Sequence, residues 1–189
     1  MEVLRWLRSE GCPWNERACS SAAWNGRLAI LKWLRSKGCP WDKWACRFAA
    51  EHGQLEVLRW LRSEGCPWDE RACYNVAMGG HLEALKWIKS KGYPIDWSEA
   101  FSGAAEGGHL EILKWLRSEG YRWNEDTCSS AAKGGHLDVL KYLHENGCPW
   151  DNLLFQHTSW GQACFQYAMN NGCNEIEPNY GYDSDEDDM

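Results

Sequence analysis

GCPWDERAC, residues 65–73, gathers two thiols, two adjacent carboxylates and an indole within nine positions. Close relatives stand at 11–19 (GCPWNERAC), 38–46 (GCPWDKWAC) and 147–151 (GCPWD). Such residues could do three kinds of chemistry. Thiolates joined by the histidines His81, His109 and His136 could hold zinc, paired cysteines could form a disulfide framework, and a low-pKa thiol could do redox work.

Placement of the ten cysteines argues against all three. One column holds Cys12, Cys39, Cys66 and Cys148, with Tyr93 and Tyr121 at the equivalent positions. The other holds Cys19, Cys46, Cys73 and Cys128, with Phe101 and Phe155 in the same place. A position that accepts Cys, Tyr or Phe calls for a buried apolar body. Column neighbours on packed helices stand about 8–10 Å apart. That exceeds the roughly 7 Å between Cα atoms that a disulfide spans. Bridges between the two columns within one unit stay open on this reading. Reduced, structural cysteines imply an intracellular compartment, cytoplasm or nucleus.

The histidine position is filled by Arg27 and Gln54 in other units, which fits a hydrogen bond at a helix start better than a metal ligand. No CxxC, HxxxH, HExxH, GxSxG, phosphate loop or dinucleotide fingerprint occurs. The expectation is a protein with no catalytic, cofactor-binding or metal-binding residues, and not an enzyme.

What positions these residues is a repeat. Gly11, Gly38, Gly65, Gly92, Gly120 and Gly147 are separated by 27, 27, 27, 28 and 27 residues. The aromatic column Trp14, Trp41, Trp68, Trp123 and Trp150 keeps step, with Ile95 in the fourth place. The extra residue falls beside Trp97, where it belongs to a loop, because an insertion inside a helix would rotate everything after it by about 100°.

Each unit reads as helix, tight turn, helix, corner. In residues 69–95, Asp69 caps a short helix that ends near Met78, and Gly79–Gly80 break it. A second helix starts near His81 with Leu82, Leu85 and Ile88 on one face. Gly92 and Pro94 stop it. Asn15, Asp42, Asn124 and Asp151 take the cap position elsewhere. Helices this short are marginal alone, so stability comes from stacking units. The Trp6, Trp33, Trp60, Trp87 and Trp115 column serves that stacking, and the Trp14 column plugs the seam between units. The fold class is all-α, a helix-turn-helix solenoid.

At 49–66 (AAEHGQLEVLRWLRSEGC) and 104–121 (AAEGGHLEILKWLRSEGY) the chain resembles the ankyrin repeat. Ala-Ala-x-x-Gly-His-Leu-Glu, an aliphatic second helix and a closing Gly carry the resemblance, which covers about residues 1–151 and extends weakly to 173. It departs in the other half of the unit, where 27 residues replace about 33 and Glu-Arg-Ala-Cys replaces Thr-Pro-Leu-His. A tight corner is expected in place of the projecting β-hairpin. The short, Trp-rich unit is similar to ankyrin-like arrays of large DNA viruses and protists.

Two end regions read differently. Residues 1–14 form a partial first repeat that leaves Leu4, Trp6 and Leu7 partly uncovered, which suggests a piece of a longer array or polypeptide. Residues 152–173 form a degenerate capping repeat, and 174–189 an acidic tail of disordered composition in which Ser184 precedes Asp185, Glu186 and Asp187. Seven of the 27 acidic side chains lie in that tail, so residues 1–173 carry 20 against 20 basic ones. A neutral array argues against nucleic acid as the partner. No apolar run is long enough for a membrane span.

Comparing units shows where side chains vary. The pair after Ala-Ala, or its variant, reads Trp24-Asn25, Glu51-His52, Met78-Gly79, Glu106-Gly107 and Lys133-Gly134. The residue just before Ala-Cys, or its variant, reads Arg17, Trp44, Arg71, Glu99 and, before Thr-Cys, Asp126. Arg47 and Tyr74 stand where other units have Ser. The ankyrin resemblance implies that the pair faces a ligand on the concave side. The candidate partner-binding residues are therefore Arg17, Trp24, Trp44, Arg47, Glu51, His52, Arg71, Tyr74, Met78, Glu106 and Lys133. A protein partner is expected. The alternatives are a passive spacer or targeting arm of a longer polypeptide, such as a substrate adaptor, and a Cys-rich metal-binding protein.

Overall fold

A computed structural model describes residues 2–68, 71–93, 96–124, 126–149 and 161–172. The cap candidates Asp69 and Asp151, the corner residues Pro94, Ile95 and Trp150, residues 152–160 with Phe155, and 173–189 with Ser184 lie outside them.

Twelve helices and no strand are present among the described residues. They are α1 (Glu2–Ser9), α2 (Glu16–Trp24), α3 (Leu28–Ser36), α4 (Lys43–Glu51), α5 (Leu55–Ser63), α6 (Ala72–Met78), α7 (Leu82–Ser90), α8 (Trp97–Glu106), α9 (Leu110–Ser118), α10 (Asp126–Gly134), α11 (Leu137–Glu145) and α12 (Gln162–Asn170). The fold is the expected all-α helical-repeat solenoid.

Local chemistry sets the helix ends. The side chains of Asn15, Asp42 and Asp96 accept from the amides of Arg17, Trp44 and Ser98, satisfying donors the first turn leaves open. Asn124 works differently, exchanging hydrogen bonds of 2.9 and 3.3 Å with the Thr127 hydroxyl. At the other end the Gly38 amide donates to the Arg35 carbonyl and the Cys39 amide to that of Leu34. Gly38 takes φ +78° to close this turn, a conformation that favours glycine.

The core is a sandwich of small and large. First helices contribute alanines such as Ala49, Ala50, Ala104 and Ala105, all fully buried. Second helices contribute Leu58, Leu61, Leu113 and Leu116, also fully buried. The small layer lets first helices touch: α2, α4, α6, α8 and α10 each pack directly on the next, while second helices pack chiefly on their own partners. At Gly103 a Cβ would come within 2.2 Å of the Tyr74 carbonyl oxygen, so α8 lies on the backbone of α6.

The corners are built by an arginine and two indoles. Arg35 Nη1 donates to the Cys39 carbonyl at 2.6 Å, and its guanidinium lies 3.9 Å from the Trp41 ring centre. Trp41 in turn meets Trp60 of the following second helix at 5.7 Å, edge to face. Arg62 with Trp68 and Arg117 with Trp123 repeat the arrangement. The Trp14-type column therefore fills the seam between units, as its spacing implies.

The extra residue of the 28-residue unit is not in a loop, as its sequence position suggested, but in the first turn of a helix, where it leaves the register of the rest unchanged. It is taken up at the N-terminus of α8, which runs ten residues against nine in α2, α4 and α10. Trp97 meets Trp115 at 6.0 Å and Tyr121 at 4.9 Å. That is the contact the Trp14 column makes elsewhere, so Trp97 occupies the indole seat in the unit whose corner residue is Ile95. In α1 no side chain is buried, and Val3 and Trp6 are 67% and 60% exposed.

The candidate partner-binding face

The exposed edges of α2, α4, α6, α8 and α10 bring the variable residues onto one surface. Trp24 at the end of α2 packs its ring 5.1 Å from Phe48 and 4.0 Å from His52, both in the next unit. Trp44 packs 5.6 Å from Phe48 on the other side, and Arg47 lies over Trp44 at 4.7 Å. Four rings thus form a continuous cluster across the first two units. Trp24 and Trp44 fold partly over neighbouring helices, yet they remain 43% and 40% exposed, and Met78 is 39% exposed. Beside the cluster is an open cleft of about 370 Å³ lined by Glu16, Arg17, Ser20, Asp42, Trp44 and Phe48.

Further along, the same surface becomes polar. The Tyr74 hydroxyl donates to Glu106 Oε2, and Lys133 Nζ pairs with Glu106 Oε1 at 2.8 Å. Burial first, and then the hydrogen bond to the Glu106 carboxylate, push the Tyr74 hydroxyl above its ordinary pKa. Arg71 is exposed at the start of α6, and Glu99 also bears on the Tyr74 hydroxyl. Of the candidates, then, Trp24, Trp44, Arg47 and His52 form one cluster with Arg17 beside it, and Tyr74, Glu106 and Lys133 form another. Glu51 and Met78 share the Trp24 row between them.

One part of the sequence reading needs correction. The second member of the varying pair changes in the first two units, Asn25 and His52, but is held to glycine in the three units that carry His81, His109 and His136. A Cβ on Gly79, Gly107 or Gly134 would stand 2.4, 2.3 or 2.1 Å from a carbonyl oxygen of the preceding unit, and 2.6–2.7 Å from the ring of His81, His109 or His136. These glycines are packing residues, and the histidines explain them. His81 Nε2 bonds the Glu51 carbonyl and His109 Nε2 the Met78 carbonyl, each at 2.9 Å. Gln54 does the same to Trp24 at 3.3 Å.

Phe48 was missed in the sequence comparison, although a signal existed. It stands where other units have Ser21, Asn75, Gly103 and Ser130.

The thiols are structural. Cys39 and Cys66 donate to the carbonyls of Asn15 and Asp42 at 3.4 Å, and Cys148 to that of Asn124 at 3.6 Å. Cys19 and Cys73 are fully buried, and burial pushes both thiols up to about 12. None of the nine cysteines of the described residues is in a disulfide, and Cys12 is the exposed one. Among the described residues no group of three or more His, Cys, Asp or Glu could hold a metal ion, and no helix is long and apolar enough to cross a membrane.

Residues 46–88 match the family model for ankyrin repeats (many copies), so that stretch is similar to this repeat. No curated protein matches the chain. Among solved structures it is similar to the pentatricopeptide repeat protein PPR10, in complex with an 18-nt psaJ RNA element, and to a triple cysteine-to-serine variant of that complex. Each is 17% identical, with a TM-score of 0.39, over 89% of this chain and 30% of that one. The chain thus spans about a third of the length of those proteins.

Proposed function

We propose that the chain is a non-enzymatic scaffold that binds a partner protein on the exposed side of its first helices. The observation that carries this reading is the cluster of Trp24, Trp44, Phe48 and His52. Framework columns use large apolar residues to fill the core, whereas in other units these four positions hold charged, polar or glycine residues, Met78 excepted. An apolar side chain that the repeat does not require, held half-exposed beside a cleft, is what an interface supplies. Trp, Tyr and Arg dominate the residues that matter most at interfaces.

Packing supports placing this surface on the concave side. First helices pack more extensively on one another along the stack than second helices do, so the stack shortens on the first-helix side. Within this reading the array runs over residues 1–173, with an acidic tail beyond it, and acts inside the cell. Its short Trp- and Cys-rich unit is of the kind found in viral and protist arrays.

A pull-down with the combined variant Trp24→Ala, Trp44→Ala and Met78→Ala tests the proposal, run beside a melting curve. Loss of the partner with an intact melt is expected. Retention of the partner by a folded variant contradicts the assignment.

A further inference from the structure

We infer that the partner docks as one charge-polarised segment: a large apolar side chain in the Trp44–Phe48 cleft, and lysines or arginines over Glu99 and Asp126. This rests on the proposed function and specifies the chemistry of its partner.

The order of residues along one row carries the inference. At the first turn of successive first helices stand Arg17, Trp44, Arg71, Glu99 and Asp126. All five are exposed. The row is therefore basic and aromatic over its first three units and acidic over its last two.

Helix electrostatics accounts for only half of this pattern. The positive end of a helix favours carboxylates, by about 0.3–1 kcal/mol each at exposed sites, and disfavours cations. Glu99 and Asp126 are consistent with that preference. Arg17 in the first turn of α2 and Arg71 at the start of α6 run against it, so local stability does not explain the inversion of sign.

Internal pairing sharpens the contrast. Lys133 is committed to Glu106, which also takes the Tyr74 hydroxyl. No cation pairs with Glu99 or Asp126 among the described residues. The ends of α8 and α10 are thus neutralised from within, while the first turns of the same helices keep two carboxylates, Glu99 near the Tyr74 hydroxyl and Asp126 accepting from Asn124 Nδ2 at 3.4 Å. An aromatic cluster of Trp24, Trp44 and Phe48 at one end and carboxylates at the other fit a segment that is apolar at one end and basic at the other. A uniformly acidic or uniformly apolar partner would match one end only.

Helix packing sets the scale. At about 8–10 Å per unit, Trp44 and Asp126 are three units and roughly 24–30 Å apart. That distance is spanned by about 16–20 residues of helix or about 7–9 residues of extended chain.

The test is selection from a phage-displayed random peptide library on the full chain, followed by titration of the best peptides at low and high salt. Peptides should pair an aromatic or large aliphatic residue with Lys or Arg at that spacing. They should bind more weakly at high salt and lose at least tenfold on the double change Glu99→Lys and Asp126→Lys. The milder pair Glu99→Gln and Asp126→Asn, which leaves the caps intact, should lose less, in the same direction. Peptides that need Trp24 and Trp44 but ignore both charge variants overturn the polarity and leave the binding face standing. Peptides indifferent to the aromatic and the acidic residues alike overturn the binding face as well. Acidic selected peptides, or no peptide carrying the apolar–basic pair, also overturn the inference.

Discussion

The imidazole of His81, at the start of α7, and the carbonyl of Glu51, at the end of α4, stand 2.9 Å apart and join two successive units. Gly79 makes room for the ring, since a Cβ there would meet Nε2 of His81 at 2.6 Å and the Glu51 oxygen at 2.4 Å. Glycine, histidine and the preceding carbonyl form one device. His81→Ala should cost about 1 kcal/mol, the usual net value of a hydrogen bond. His81→Gln should cost less, since Gln54 makes the equivalent bond. Gly79→Ala should cost about 1–3 kcal/mol, as overpacking does. Adding His81→Ala should not rescue it, because the carbonyl contact remains. Urea unfolding checks all four, and an unperturbed Gly79→Ala would contradict the close approach.

Two tryptophans should behave oppositely on truncation. Trp41 lies between Arg35 and Trp60 in a seam, so Trp41→Ala should cost about 3 kcal/mol. Trp24 keeps one open side, and Trp24→Ala should cost about 1 kcal/mol from lost ring contacts. Thermal or urea melts decide this. Equal losses would make Trp24 a framework residue.

Stability should fall at high pH. Burial pushes the Cys19 and Cys73 thiols up to about 12, whereas an unperturbed thiol titrates near 9.0. The folded state therefore holds protons that the unfolded state gives up between these values. Stability is constant with respect to these groups below about pH 9 and declines as pH rises toward 12. Urea midpoints at pH 8, 9.5 and 10.5 should drop in order, less steeply in Cys73→Ala. A flat profile would contradict the burial of the thiols. At neutral pH, peptide-mapped alkylation should modify Cys12 well before the eight buried cysteines of the described residues.

Much of this was legible from the chain. The 27-residue period gave the solenoid, because a fixed repeat of Leu, Gly and Trp positions admits one stacking. Caps at Asn15 and Asp42 followed from residue type. The displaced indole seat was not legible, since Trp97 and Ile95 differ by two positions and only packing shows which ring enters the seam. The glycine–histidine device was half legible. The histidine column showed a hydrogen-bonding position, but its acceptor is a main-chain oxygen about 30 residues away, and no sequence pattern marks it. Phe48 could have been found by comparing units at its own position.

Tyr74, Glu106 and Lys133 should act as a unit. A double-mutant cycle with Tyr74→Phe and Lys133→Met should show a coupling of about 0.5–1 kcal/mol through Glu106, which both groups contact. Strict additivity would mean that the two contacts form independently of each other.

The central claim separates surface tryptophans from seam tryptophans, and fluorine NMR reads that difference directly. The chain has 14 tryptophans, which 5-fluorotryptophan labels and single Trp→Phe substitutions assign. On titration with the partner recovered in the pull-down, the Trp24 and Trp44 resonances should move, while those of Trp33, Trp41, Trp60 and Trp115 hold still. Movement of the seam set with Trp24 and Trp44 unchanged would contradict the account and move the binding surface to the other side of the solenoid.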